Sequence, residues 1–280
     1  MLDNDLLVKV HRQNLSTLLF IYNITTDWHR HPSLQLTISL HNMSFELETQ
    51  DEKKDVFGFI IQSNVPHKLS APDVCCINLL IDPQDPCYHL LSHFTETNPV
   101  YFLTYKEALK IASYFMKSVT ISQPFELYHV YKLLCESDPN CLCESDPNCS
   151  CDQDNRISKA VSIISSLPIK RISSREIAEK IHLSESRFLH LFRSKLGINF
   201  RGYLLWKRLQ DVIDILDSST TLTKLASDMG FSDSAHFSRT CLSSLGLRPS
   251  QLKRALIIDN NDIMCGKHYC LYSVFHALHT

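Results

Sequence analysis

Five cysteines crowd the middle of the chain. The segment LCESDPNCLCESDPNC (134–149) is one octapeptide written twice; it carries Cys135, Cys141, Cys143 and Cys149, with Cys151 two residues on. Thiolates at this density bind soft metals such as Cu(I) or Zn(II), or oxidise reversibly. The spacing C-x5-C-x-C-x5-C-x-C lacks the C-x2-C pairs in which a tight turn aims two thiolates at one zinc ion. Asp-Pro-Asn forms turns, and a polar connector tolerates an inserted copy of itself. An inert, duplicated linker is therefore the stronger reading, and thiol or metal sensing the alternative. The N-terminus, MLDNDLLVKVHRQN, has no basic start followed by a long apolar core. A cytoplasmic protein is expected, its eleven cysteines mostly thiols or metal ligands.

A second set of side chains suits a polyanion. Residues 156–256 hold 17 Lys and Arg against 8 Asp and Glu, a net +9, whereas the remainder of the chain carries −11. Within the basic part, ESRFLHLFR and SAHFSR place Ser186, Arg187, Leu189, His190 and Arg193, then Ser234, Ala235, His236, Ser238 and Arg239, opposite the apolar positions of two short helical patterns. Arg193 and Arg239 are natural guanine readers, because a guanidinium forks onto O6 and N7, and Leu189 fits a thymine methyl. Each has a plainer reading too. Arg187 can serve only to solvate its helix, a serine near a helix start is commonly a cap, and a surface imidazole often does nothing.

Those side chains need elements to hold them. In ISSREIAEKIHLSESRFLHLFRSKLG (172–197), Ser174 is placed to cap a short helix with Ile177, Ala178 and Ile181 on its apolar face. His182 and Leu183 make a turn, and Ser184 caps a second helix burying Phe188, Leu191, Phe192 and Leu196 until Gly197 stops it. The plan recurs in TLTKLASDMGFSDSAHFSRTCLSSLG (221–246): Leu222, Leu225 and Ala226, a turn at Gly230, a cap at Asp233, then Phe237, Cys241 and Leu245 before Gly246. FRGYLLWKRLQDVIDIL (200–216) reads as a helix joining the two helix-turn-helix units.

GFSDSAHFSRT followed by GLRPSQLKR (246–254) resembles the signature of the AraC/XylS family of bacterial transcription regulators. The likeness covers about residues 156–256. It implies base-reading positions at Ser186, Leu189, His190 and Arg193, and at Ser234, Ala235, His236 and Arg239. One departure stands out. Cys241 replaces the aromatic residue that follows Phe-Ser-Arg in the family, and Leu242-Ser243-Ser244 replaces basic residues. The second unit is thus expected to pack more loosely and the first to carry more of the affinity, with Cys241 a buried small hydrophobe.

Upstream, residues 16–100 read as short strands: LQLTISL (34–40) alternates, VFGFII (56–61) and VCCINLLI (74–81) are apolar runs, and Pro66, Pro72, Pro83 and Pro86 punctuate them. A β-barrel or sandwich follows. From Tyr105 to Leu134 the period turns helical, with Pro124 expected to open a second helix. WHRHPSLQLTISL (28–40), GFIIQSNVPHKL (58–69) and NLLIDP (78–83) resemble the cupin-like ligand domains joined to many such regulators. In metal-binding cupins two His, a carboxylate or amide and a later His converge; the resemblance places them at His29, His31, Gln35 and His67. Glutamine is a weaker ligand than glutamate there. The plainer reading leaves them as polar residues at a barrel mouth.

The expected architecture is α+β in two domains. Residues 1–104 form a cupin-like effector-binding barrel, 105–154 a helical, dimerisation element with the Cys-rich linker, 155–258 the DNA-binding domain, and 259–280 an unassigned tail. The expected function is a sequence-specific DNA-binding transcription regulator, an activator by resemblance, controlled by an effector in the barrel. Its partners are double-stranded DNA, a small-molecule effector or divalent metal, RNA polymerase by resemblance, and a second copy of the chain; no membrane is involved. The alternatives are a thiol- or metal-responsive regulator built on residues 135–151, and a cupin-type metalloenzyme fused to a DNA-binding domain. Gln35 in place of a carboxylate, with no general base beside it, argues against catalysis.

Overall fold

The computed structural model describes residues 7–13, 15–40, 42–85, 87–120, 124–136, 155–167, 172–215, 221–254 and 256–257. Cys141, Cys143, Cys149 and Cys151 lie outside the described residues, as does the tail from 258. The N-terminal part is built from strands β1 (Leu7–Gln13), β2 (Ser16–Thr25), β3 (Leu34–Ser39), β4 (Phe45–Thr49), β5 (Lys53–Val56), β6 (Gly58–Ile61), β7 (His67–Ile81) and β8 (Val100–Phe102). A two-residue strand from the far end of the chain, β9 (Leu256–Ile257), joins them. The order is β8-β6-β3-β7-β2-β1-β9, with β4 and β5 attached along β7, and the sheet curls into a nearly closed barrel.

Strand β7 organises the barrel. Its C-terminal half lies between β2 and β3, and its N-terminal half pairs with β4. Pro72, expected to punctuate, sits inside this strand. There the register with β2 shifts between Tyr22 and Ile24, and Asn23 and Asp73 both take positive φ. A proline lacks the ladder donor, and a bulge is a place in a strand where that is tolerated.

Alternation along the strands gives the sheet two buried faces. Leu34, Leu36, Ile38, Cys75, Ile77, Leu79 and Ile81 face outward into one core. That core is roofed by helices α1 (Tyr88–Ser92), α2 (Tyr105–Thr120) and α3 (Leu127–Cys135), through Ile111, Phe115, Val130, Tyr131 and Leu134. Helices 105–134 therefore cover the barrel, and α3 begins three residues after Pro124. The opposite face carries Leu19, Ile21, Phe59, Ile61, Val74, Cys76 and Leu80. Cys75 and Cys135 are each in a disulfide, exceptions to the expectation of mostly thiols, while Cys76, Cys87 and Cys241 are free.

The C-terminal part comprises α4 (Asn155–Ser166), α5 (Ser174–Lys180), α6 (Glu185–Leu196), α7 (Phe200–Ile215), α8 (Leu222–Asp228), α9 (Ser234–Leu245) and α10 (Pro249–Arg254). Helices α5–α6 and α8–α9 are the two helix-turn-helix units, and α7 links them. The first unit has its own core: Ile157, Ile164, Ile177, Phe188, Phe192, Phe200 and Tyr203. The second does not. Trp206, Leu209, Val212, Leu225, Phe231, Phe237, Cys241 and Leu247 merge with the inner face of the barrel in one apolar body.

Candidate nucleic-acid interface and histidine cluster

Local chemistry builds the two recognition helices alike. In α6, Ser184 accepts a hydrogen bond from the Arg187 amide at 3.3 Å, and apolar residues every four positions bury Phe188, Phe192 and Leu196. Gly197 then ends the helix at φ +65. In α9, Asp233 accepts from the His236 amide at 2.6 Å, Phe237 and Cys241 are buried, and Gly246 ends it at φ +67. The turns are made by His182 (φ +57) and Gly230 (φ +73). One cap differs from expectation: Ser173, not Ser174, precedes α5, and the Ser174 hydroxyl instead bonds the Glu185 carboxylate at the start of α6. That bond ties the two helices of the unit together.

The exposed face of α6 presents Ser186, Arg187, Leu189, His190 and Arg193 to solvent. On α9, Ser234, Ala235 and Arg239 are exposed, whereas His236 is half-buried, its ring against Phe231 and its Nδ1 3.2 Å from the Ser232 hydroxyl. A cleft of about 1210 Å³ runs between the units, lined by Leu189, His190 and Arg193 on one side and His236 on the other. Arg201 and Arg208 of α7 line its floor. The sequence pattern did not single out these two arginines, because helical period alone assigns them to a linker.

The C-terminal end of α9 is not loose. The Arg30 amide donates to the Ser243 carbonyl (3.1 Å) and the Asp27 amide to the Gly246 carbonyl (2.7 Å). The barrel thus supplies the packing that the missing aromatic residue would have given. A buried ion pair adds to the joint: Lys207 Nζ lies 3.3 Å from Asp82 Oδ2, which also accepts from the Tyr203 hydroxyl at 3.3 Å. Removing one partner of such a pair costs about 3–5 kcal/mol, since the other charge is left buried alone.

His29, His31 and His67 come together, all buried, each with one nitrogen within 4.8 Å of the others. His29 and His67 form an isolated antiparallel bridge, each backbone amide donating to the other's carbonyl at 3.0 and 2.9 Å. Each ring places Nδ1 on a carbonyl two residues away: His29 on Asp27 (2.9 Å), His31 on Ser33 (3.0 Å), His67 on Val65 (2.9 Å). Nδ1 of each ring is therefore the protonated nitrogen, and Nε2 carries the lone pair. Burial first, then the neighbouring His31, lowers the pKa of His29 to about 3. Burial likewise lowers His31 and takes His67 well below the usual range, with His29 and His31 adding to the latter. The rings are neutral at pH 7.

Gln35 joins them, its side-chain amide 2.7 Å from His31 Nε2 and 2.8 Å from the Thr37 hydroxyl. A neutral His31 that donates from Nδ1 accepts at Nε2, so the amide NH2 donates to it. The four residues expected from the cupin resemblance are thus assembled. Cys135 lies apart, at the end of α3 and half-buried.

Comparison with known proteins agrees with this arrangement. A family profile described as "Helix-turn-helix domain" matches residues 177–255. The Msm operon regulatory protein of Streptococcus mutans serotype c (strain ATCC 700610 / UA159) is 27% identical over 137 residues, 49% of this chain and 48% of that protein. The arabinose operon regulatory protein of Escherichia coli (strain K12) is 33% identical over 113 residues, 39% and 38% respectively. The matches thus span about half, or less, of those relatives' lengths. Among solved structures, apo ToxT from Vibrio cholerae strain SCE256 has the same two-part fold: TM-score 0.55, 11% identity, covering 88% of this chain and 99% of that one. Wild-type ToxT described as bound to unsaturated fatty acid gives a TM-score of 0.50 at 12% identity, covering 88% and 98%. Two capped helix-turn-helix units behind a barrel, and these relatives, make residues 177–255 a helix-turn-helix domain similar to those of operon regulatory proteins of the AraC type.

Proposed function

We propose that the protein is a sequence-specific DNA-binding transcription regulator controlled through its N-terminal barrel. The observation that carries this reading is the pair of capped, glycine-stopped recognition helices α6 and α9, whose exposed residues flank one cleft. Two such helices on one chain read two successive major-groove segments about one DNA turn apart. Arg193 and Arg239 supply guanine contacts, Ser186, Leu189, His190, Ser234 and Ala235 the remaining base-edge contacts, and Arg187 a phosphate or solvent contact. His236, held against Phe231, is the weakest reader of the set.

The control mechanism is a shift between states in which α9 is held by the barrel and states in which both helices dock on DNA together. An effector acts only if it binds those states with different affinity. Effector control is supported by the domain joint, and by a fold neighbour described as bound to an unsaturated fatty acid. Activation, contact with RNA polymerase, a cytoplasmic location and pairing of two copies through residues 105–154 belong to the same proposal. The matched relatives are described as regulators, which favours a binding protein over a metalloenzyme. Among the described residues no helix is long and apolar enough to cross a membrane.

Selection of binding sites from random duplex DNA with the full-length chain tests the reading. Arg193→Ala is expected to relax the preference at one base position and to cost about 1–3 kcal/mol there. Equal loss on all sequences would make Arg193 a phosphate contact, and no selected sequence at all would sink the proposal.

A further inference from the structure

We propose that His29, His31 and His67 bind a divalent transition-metal ion at the joint between barrel and DNA-binding domain, and that the ion sets how firmly the second helix-turn-helix unit is held. This rests on the regulator reading above and names its effector.

Three features of the cluster point to a ligand. Each Nδ1 is fixed on a backbone carbonyl, an arrangement that orients an imidazole for coordination through Nε2. His67 Nε2 is buried without any hydrogen-bond partner, a cost that a bound ion would remove. Finally, the three rings converge, one nitrogen of each lying within 4.8 Å of the others. Imidazole nitrogen suits Zn, Co, Ni, Cu or Fe; Mg and Ca take oxygen ligands. Tetrahedral coordination at about 2.0–2.1 Å needs nitrogens about 3.3 Å apart, inside the 4.8 Å within which these now lie. Gln35 then leaves His31 Nε2, and its amide oxygen is available as the fourth ligand.

Two of the three rings touch the other domain. His31 stacks on Trp206 of α7, centroids 5.3 Å apart and planes 26° from parallel. His29 lies against Gly246, where a Cβ would come within 2.7 Å of its Nδ1. Asp27 connects the same two groups: its carbonyl accepts from His29 Nδ1 while its amide donates to the Gly246 carbonyl. Closing the rings on an ion therefore moves the surfaces on which α7 and the end of α9 rest. The ion acts on DNA binding through these contacts without meeting DNA.

The test uses the full-length protein, stripped of metal, with Co2+ and Zn2+ as probes. Visible absorption should show one tetrahedral Co2+ per chain, displaced by Zn2+ and unaffected by Mg2+ or Ca2+. A variant with Cys141, Cys143, Cys149 and Cys151 changed to Ser should keep the band, while His67→Ala and His31→Gln should each lose it. Circular dichroism and melting of each metal-free variant report whether it is folded. Should a histidine variant fail to fold, uptake kept by the cysteine-to-serine variant supports the histidine site and uptake lost there overturns it. Affinity for the selected duplex should change 5- to 150-fold with Zn2+ in wild type and not in His31→Gln. No Co2+ uptake by wild type, or uptake lost with the cysteines and kept without the histidines, overturns the site. Uptake with unchanged DNA affinity overturns the coupling. Because Co2+ uptake is read without DNA, the site and the regulator reading can fail separately.

Discussion

The two helix-turn-helix units are near copies in sequence pattern and unlike in their surroundings. The first closes a core of its own, where Phe188, Phe192 and Phe200 pack edge to face at 5.2–5.5 Å and Tyr203 meets Phe192. Its contacts with the barrel are polar, from Tyr203 to Asp82 and from Ser158 to Gln84. The second shares its core with β2, β4, β6 and β7. One motif can thus close its own core or complete that of a neighbouring barrel, depending on which apolar neighbours surround it. In this chain the unit joined to the barrel is the one that does not close a core by itself.

The comparison is most exposed in the cores. Phe192→Ala and Phe237→Ala each remove a fully buried ring and should each cost about 3–5 kcal/mol. Their footprints should differ. Hydrogen exchange should quicken within 157–204 for the first, and in α8, α9 and strands β2 and β7 together for the second. A second-unit footprint confined to 221–252 would mean the shared core is not one cooperative body.

A smaller and cleaner contrast lies in the glycines that stop the recognition helices. A methyl group at Gly197 would meet nothing within 4 Å, so Gly197→Ala should cost only the left-handed backbone penalty, about 1–2 kcal/mol. At Gly246 the same methyl would lie 2.5 Å from the Asp27 carbonyl oxygen and 2.6 Å from the Thr26 side chain. Gly246→Ala should therefore lower the melting temperature more, and should also expose Trp206 to a fluorescence quencher in a Trp28→Phe background. Equal shifts for the two would argue against the docked joint.

The smallest expected effect concerns thiols. Burial pushes Cys76 and Cys241 up to about 12 from an ordinary 9, so the folded state keeps protons that the unfolded state releases. Stability is then full below pH 9 and falls as pH rises, by about 1.4 kcal/mol per thiol at pH 10. Both thiols belong to the shared core, and residues 156–204 contain no cysteine. Exchange between pH 9 and 10, corrected for its intrinsic rate, should rise in the shared core and not in the first unit.

What the sequence disclosed was local. The caps Ser184 and Asp233, the stops Gly197 and Gly246, and the four-residue spacing of Phe188, Phe192 and Leu196 act within a few residues, so they are readable in a line of text. The histidine set was visible through resemblance, yet not its position: the β4–β7 and His29–His67 pairings bring the rings together, with His31 against Trp206. That Trp206 is buried follows from its helix; which core buries it does not. Pro72 misled because a bulge in a long strand looks, residue by residue, like the end of one. The short β9 gave no signal, since two apolar residues carry no period.

That last strand has a consequence for how the chain is made. Leu256 and Ile257 lie parallel to Leu7 and Val8, so the barrel's outer edge is completed by residues nearly two hundred and fifty positions later. A domain made first on the ribosome usually folds first. Here the edge of β1 waits for its partner on that side until Leu256 and Ile257 have emerged. The barrel is therefore finished only after the helix-turn-helix units have been made.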